Sequence, residues 1–336
     1  MRPRWEDVNA RARGLGARLL APEALEGLSQ VRGMAVLGGA LAARGLIPEE
    51  KAGGDATELG LVLRRGAARE VAVLRRWLGP RDAALAVALD AEDRRSLRAL
   101  IRGASEGAPA DTRLAGLVPT PTLPERLLRE LAERGSIREQ GVLLLGAGHP
   151  CGHAVLAAAS DREPDLFRIE LAIARTLAER AVRSSRGAGR FLRDYVAATI
   201  DRDNCRTALV LAAIGTEEPT ASLFLPGGGL RPEEFERATA TRDPVMAARA
   251  LGAVRATRDL APILLQHATS PADLERALED RAVTTVQREA RLNPLGPAPV
   301  LFFLHRLRQQ SIALARLVWS AELGVPAAAL GGAEVA

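Results

Sequence analysis

Apolar residues recur three and four positions apart along most of this 336-residue chain and almost never alternate singly with polar ones. That spacing puts the buried side chains on one stripe of a helix, whereas a half-buried strand needs a period of two. The stretches that carry it are 8–20, 70–78, 82–102, 124–134, 166–182, 191–214, 271–291 and 299–323. Between them lie clusters of glycine and proline at 51–55, 103–109, 119–124, 146–152, 226–229 and 293–299, where a helix would have to stop. Alanine, leucine, arginine and glutamate, all strong helix formers, dominate the composition. The chain is expected to be all-α.

Self-similarity at a fixed offset says how the helices are organised. Residues 89–98 resemble residues 197–206: an aspartate, a small polar residue, an apolar residue and an arginine recur in order as Asp93, Ser96, Leu97, Arg98 and Asp201, Asn204, Cys205, Arg206. The offset is 201 − 93 = 108. Downstream, Val118-Pro119-Thr120-Pro121 faces Leu225-Pro226-Gly227-Gly228 at 226 − 119 = 107. A third copy falls near the end, where Leu314 and Pro326 follow Leu97 and Pro109 by the same 217 residues. Three helical repeats are therefore expected, spanning 1–125, 126–235 and 236–336. In the first two, Asp93 and Ser96, or Asp201 and Asn204, stand three apart on one helix face, a spacing suited to holding a polar register between helices. The third copy keeps Leu314 but has Gln310, Ala313 and Ala315 where the polar pattern stood.

Composition removes several classes of function. The net charge is +5, but the basic residues are nearly all arginine, with Lys51 the single lysine, as a compositionally biased genome would produce in any protein. Aromatics make up 3% of the chain and do not interleave with basic residues, which leaves little for stacking on bases; no nucleic-acid partner is expected. Apolar runs stop far short of the roughly 18–20 residues of a membrane span. The start, 1–7, has no apolar run behind its basic residues, so no secretory signal is read there and a cytoplasmic location is expected. Two cysteines, Cys151 and Cys205, make no disulfide framework.

Several short motifs, taken together and in order, resemble the C-subunit family of V-type and A-type ATPases, whose eukaryotic member is called d. Val8-Asn9-Ala10-Arg11-Ala12-Arg13 before Leu19-Leu20 is similar to that family's opening N-A-R segment. Phe191-Leu192-Arg193-Asp194-Tyr195 and Asp201-Arg202-Asp203-Asn204-Cys205-Arg206-Thr207 resemble its L-R-x-Y and D-x-x-N-L-[KR]-T, and Pro226-Gly227-Gly228 its P-G-G loop. Asn293-Pro294-Leu295-Gly296 resembles a D-P-L-G element before the last long helix, and Leu323-Gly324-Val325-Pro326 that helix's exit. The chain departs from the family within that helix, with Arg306 to Gln310 and Ala313-Leu314-Ala315 in place of a more polar run. The resemblance implies a funnel of three similar subdomains with pseudo-threefold symmetry around a central cavity. It implies a non-catalytic rotor part on the cytoplasmic face of a membrane complex, peripheral and without a span of its own. The implied partners are the central stalk subunits D and F and the proteolipid ring, and the implied role is torque transmission for ion transport or ATP synthesis. Asp93, Ser96, Arg98, Asp201, Asn204, Arg206, Pro226, Gly227 and Gly228 then form a structural motif; no catalytic, cofactor or metal residues are expected.

The alternative is a nucleotide-binding enzyme built on the Gly146–Gly152 loop. An apolar run at 142–145, three glycines and a following helix mimic a dinucleotide loop, although the spacing is not G-x-G-x-x-G and Pro150 stands at the helix entry. That reading requires a strand at 142–145 with a parallel neighbour. His149, Cys151 and His153 could ligate a metal only from an extended segment and lack a fourth ligand nearby, so a loop histidine pair beside a buried thiol is the expected arrangement. No Ser-His-Asp or Cys-His set is spaced for catalysis.

Overall fold

In a computed structural model of the chain, residues 5–160, 164–215 and 220–327 are described, and they contain helices but no strand. Short helices open the chain: α1 (Glu6–Gly16), α2 (Pro22–Ser29) and α3 (Met34–Ala42). Two long ones follow, α4 (Ala56–Leu78) and α5 (Asp82–Ser105). After the short α6 (Ala110–Leu114), α7 (Glu125–Ala132), α8 (Ile137–Gly146) and α9 (Gly152–Ala158) come the long α10 (Leu166–Ser185) and α11 (Arg190–Ile214). The pattern repeats with α12 (Pro232–Thr239), α13 (Pro244–Ala253) and α14 (Ala261–Gln266) before the long α15 (Pro271–Leu292) and α16 (Ala298–Leu323). The second long helix of each pair begins at Asp82, Arg190 and Ala298, and 190 − 82 and 298 − 190 are both 108.

The ends of the long helices are set by local chemistry. Asp55 caps α4 by accepting from the Glu58 N–H at 2.8 Å, and Asp165 caps α10 by accepting from the Phe167 N–H at 2.9 Å. Each bond satisfies a donor that the first turn leaves open. Pro232, Pro244 and Pro271 stand at or next to the first helical position, where the missing N–H costs nothing. At its far end α16 stops at Gly324, whose left-handed backbone (φ 66°, ψ 21°) suits glycine and turns the chain out of the helix.

The long helices pack in succession: α5 against α10, α11 against α15, and α16 back against α4, so the contacts close on themselves. At each of these seams an apolar core gathers short helices. Leu97, Leu100 and Ile101 of α5 bury with α6–α9 against Ile169 and Ile173 of α10. Cys205, Ala208 and Leu209 of α11 bury with α12–α14 against Leu274 and Leu278 of α15. Leu314, Leu317 and Val318 of α16 bury with α2 and α3 against Ala56 and Leu59 of α4, a core drawn from both ends of the chain. A further core sets Trp5, just ahead of α1, and Val8 and Leu15 of α1 against Val71 and Leu74 of α4 and Val300, Leu301 and Phe303 of α16. Each fully buried leucine or phenylalanine in these cores contributes roughly 1.5–3 kcal/mol relative to exposure.

Candidate functional site

Asp93, Asp201 and Gln310 occupy corresponding turns of α5, α11 and α16, and each holds a segment that leads into a short helix. Asp93 is fully buried and accepts from the hydroxyls of Thr120 and Thr122, just ahead of α7. Asp201 accepts from the backbone N–H groups of Gly229 (2.9 Å) and Leu230 (2.8 Å), ahead of α12. Gln310 accepts from the Leu20 N–H at 2.6 Å, ahead of α2. On α16 the polar contact is therefore kept with a neutral acceptor, and the donor comes from the beginning of the chain. Periodicity along the sequence offered no sign of it, because the donor is a backbone group of a segment more than 280 residues away.

The neighbouring positions differ more. Asn204 is fully buried and bonds the Leu225 backbone twice, donating to its carbonyl and accepting from its N–H, each at 2.9 Å. Ser96 is equally buried, yet its hydroxyl has no partner among the described residues. Pro226 is exposed, and the glycines after it lie against α11. Gly227 has φ +111°, and a Cβ there would come within 2.6 Å of Val182 Cγ2. At Gly228 a Cβ would lie 2.1 Å from Asp201 Oδ1, so the loop reaches the carboxylate only with no side chain there. Asn9 and the 293–296 loop, both picked out by motif, meet directly: the Asn9 amide donates to the carbonyls of Pro294 (3.0 Å) and Gly296 (2.9 Å).

Arg98 and Arg206 belong to a different site. Both reach Glu275 of α15, at 2.6 and 2.9 Å, and Arg98 also pairs with Glu170 of α10 at 3.3 Å. Burial works against the Glu275 carboxylate, but Arg206 and Arg98 outweigh it and hold its pKa down to about 2. Glu92 and Glu279 are likewise shared between Arg95 and Arg308. Arg94 of α5 pairs with Asp203 of α11. Beside this network the Tyr195 hydroxyl meets His305 Nε2 at 3.2 Å. Burial, then Arg95, Arg308 and Arg202, push the His305 imidazole down to about 3, so it is neutral.

The network forms a charged floor between two depressions. Each is lined by Arg95, Arg98, Arg206, Glu275, Glu279 and Arg308. One, of about 170 Å³, opens past Val87, Asp90 and Ala282. The other, of about 610 Å³, opens past Arg102, Val210, Ile312 and Arg316, between the later turns of α5, α11 and α16. The lattice of shared carboxylates is stiff, because displacing one guanidinium leaves a carboxylate short of a partner.

The Gly146–Gly152 segment lacks the preceding strand that a dinucleotide loop needs. Residues 142–145 are helical, the middle of α8, so the strand that reading required is replaced by a helix. Gly152 opens α9 because the two helices touch there: a Cβ would lie 2.5 Å from the Leu145 nitrogen. His149 Nδ1 accepts from the Cys151 N–H at 3.1 Å, leaving Nε2 to carry the proton toward Asp93 Oδ2 at 3.4 Å. Cys151 is buried, which pushes its thiol up to about 12, and His153 is exposed. The histidine thus ties the α8–α9 turn to α5. No helix of the described residues is long and apolar enough to cross a membrane.

Comparison with known proteins bears on the whole chain. Residues 8–328 match the model of a family described as ATP synthase (C/AC39) subunit. The C subunit of the V-type ATP synthase from one strain of Thermus thermophilus is 30% identical over 298 residues, 87% of this chain and 84% of the relative. Its counterpart from a second strain of the same species is 29% identical over the same shares. The C subunit of the A-type ATP synthase from Haloquadratum walsbyi is 28% identical over 249 residues, 72% of each chain.

Proposed function

The chain belongs to the ATP synthase (C/AC39) subunit family, and from that premise we propose that it is the non-catalytic socket of a V/A-type rotary ATPase. In this role it links the central stalk, subunits D and F, to the proteolipid ring at the cytoplasmic face of the membrane. It then passes torque between the ATP-handling head and the ring during ion transport or ATP synthesis. The observation that carries the reading is the 610 Å³ depression floored by the shared-carboxylate network and walled by the later turns of α5, α11 and α16. A part that transmits torque needs a stiff body and a shaped, polar seat more than it needs reactive side chains, and that seat has both properties.

The three repeats, 1–125, 126–235 and 236–336, and their arrangement as a funnel around this depression belong to the same proposal. Recurring helix starts 108 residues apart support it. Within it, Asp93, Ser96, Asp201, Asn204 and the Pro226-Gly227-Gly228 loop set the geometry of each repeat, and Arg98 and Arg206 brace the seat. Affinity purification of the tagged full-length chain from gently solubilised membranes tests the proposal. Recovery of stalk and proteolipid subunits in one stoichiometric complex is the expected result. Recovery of the tagged chain without stalk or proteolipid subunits overturns it.

A further inference from the structure

Resting on the socket reading, we infer that the segment entering the larger depression presents carboxylates, and that Arg102 and Arg316 on its wall receive them. Seven arginines and four glutamates line this depression. All four glutamates are already engaged: Glu92 and Glu279 by Arg95 and Arg308, Glu275 by Arg98 and Arg206, Glu170 by Arg98 and Arg102. Arg276 turns to Asp273 at 3.4 Å. Arg316 lines the wall and forms no ion pair with any described residue. Arg102 divides Glu170 with Arg98 and remains 38% exposed at its side chain.

With Arg276 turned to Asp273, a surplus of two positive charges, six arginines less four glutamates, sits in a concavity, where low-dielectric walls concentrate its field. Guanidinium groups match carboxylates two bonds at a time, so acidic side chains satisfy them best. A basic tip would add repulsion, and a neutral one would cover Arg316 without compensating it. Val210, Ile312 and Phe167 stand among these charges on the same wall. The fitting occupant is therefore an amphipathic tip with at least two acidic residues beside aliphatic ones.

The test measures binding of the full-length chain to the purified stalk subcomplex of its own ATPase, at increasing salt and with Arg102→Glu/Arg316→Glu, Arg316→Ala and Arg249→Glu variants. Arg249 is an exposed residue of α13 outside the depression. Affinity is expected to fall about tenfold or more between low and about 0.5 M salt, as screening predicts. The double reversal should cost at least about tenfold, Arg316→Ala less, and Arg249→Glu nothing. Binding that survives both salt and the cavity variants overturns the acidic tip while leaving the socket reading in place. Failure of the unmodified chain to bind the stalk at any salt overturns both. The salt series on the unmodified chain decides the question even where a variant does not fold.

Discussion

Asp90 shows how one buried charge ties the stability of this protein to pH. It is 3% exposed on α5, with Arg180 of α10 at 3.2 Å as its counter-charge and Asp93 one turn along its own helix. Burial raises its pKa to about 7; Arg180 opposes the rise and Asp93 adds to it. An unfolded aspartate titrates near 4, so between about pH 4 and 7 the folded state holds a proton that the unfolded state has released. Stability from this group is complete below about pH 4 and is lost as pH rises through 7. Asp90→Asn, which imitates the protonated form, is expected to stabilise the protein at pH 8 by at most about 4 kcal/mol and to flatten stability between pH 4 and 7. Urea unfolding at a series of pH values checks this, and an unchanged slope in that window would contradict it.

At the scale of elements, the α8–α9 turn depends on a contact that only glycine permits. The two helices approach at Gly152, and at Gly141 a Cβ would be 3.0 Å from Leu156 Cα. Gly152→Val is expected to cost about 3 kcal/mol, because backbone atoms must separate to admit the side chain. Hydrogen exchange should quicken in 137–159 while α12–α14 remain protected; uniform loss of protection would refute the local contact. The same turn marks a limit of sequence reading. Most of the long helices were legible because each buries one stripe, and the boundaries read for α10, α11, α15 and α16 agree with the structure to within a few residues, whereas of α4 only 70–78 was read. α3 and α8 were not, since Met34-Ala35-Val36-Leu37-Gly38 and Val142-Leu143-Leu144-Leu145 are apolar on several faces and show no period. The spacing singled out Asp93, Asp201 and Asn204, which hydrogen-bond neighbouring loops, whereas it gave no sign of the charged floor: Glu275 and Glu279 come from a helix outside the repeated motif.

At the scale of the whole molecule, the closure between the chain's two ends decides how the protein folds and fails. Leu20 hydrogen-bonds Gln310, Asn9 bonds the loop before α16, and Val8, Ala12 and Leu15 share a core with Val300, Leu301 and Phe303. Such contacts span nearly the full chain length, so closing them costs more loop entropy than the nearer pairings do. The cores at the α5–α10 and α11–α15 seams join segments much closer in sequence and do not involve α1. A chain beginning at Pro22 is therefore expected to keep the α11–α15 core while α16 loses protection. Removing four buried side chains at the start of the chain, Trp5, Val8, Ala12 and Leu15, takes several kcal/mol of apolar burial from α4 and α16. Native-state hydrogen exchange on the truncated protein should then show α16 amides exchanging at least about a hundredfold faster, a change of ~2.7 kcal/mol, with α12–α14 little altered. Equal acceleration in both regions would mean that the molecule unfolds as one unit. An unchanged α16 would mean that the terminal closure contributes no stability, and that the seam between α16 and α4 holds through its own apolar contacts.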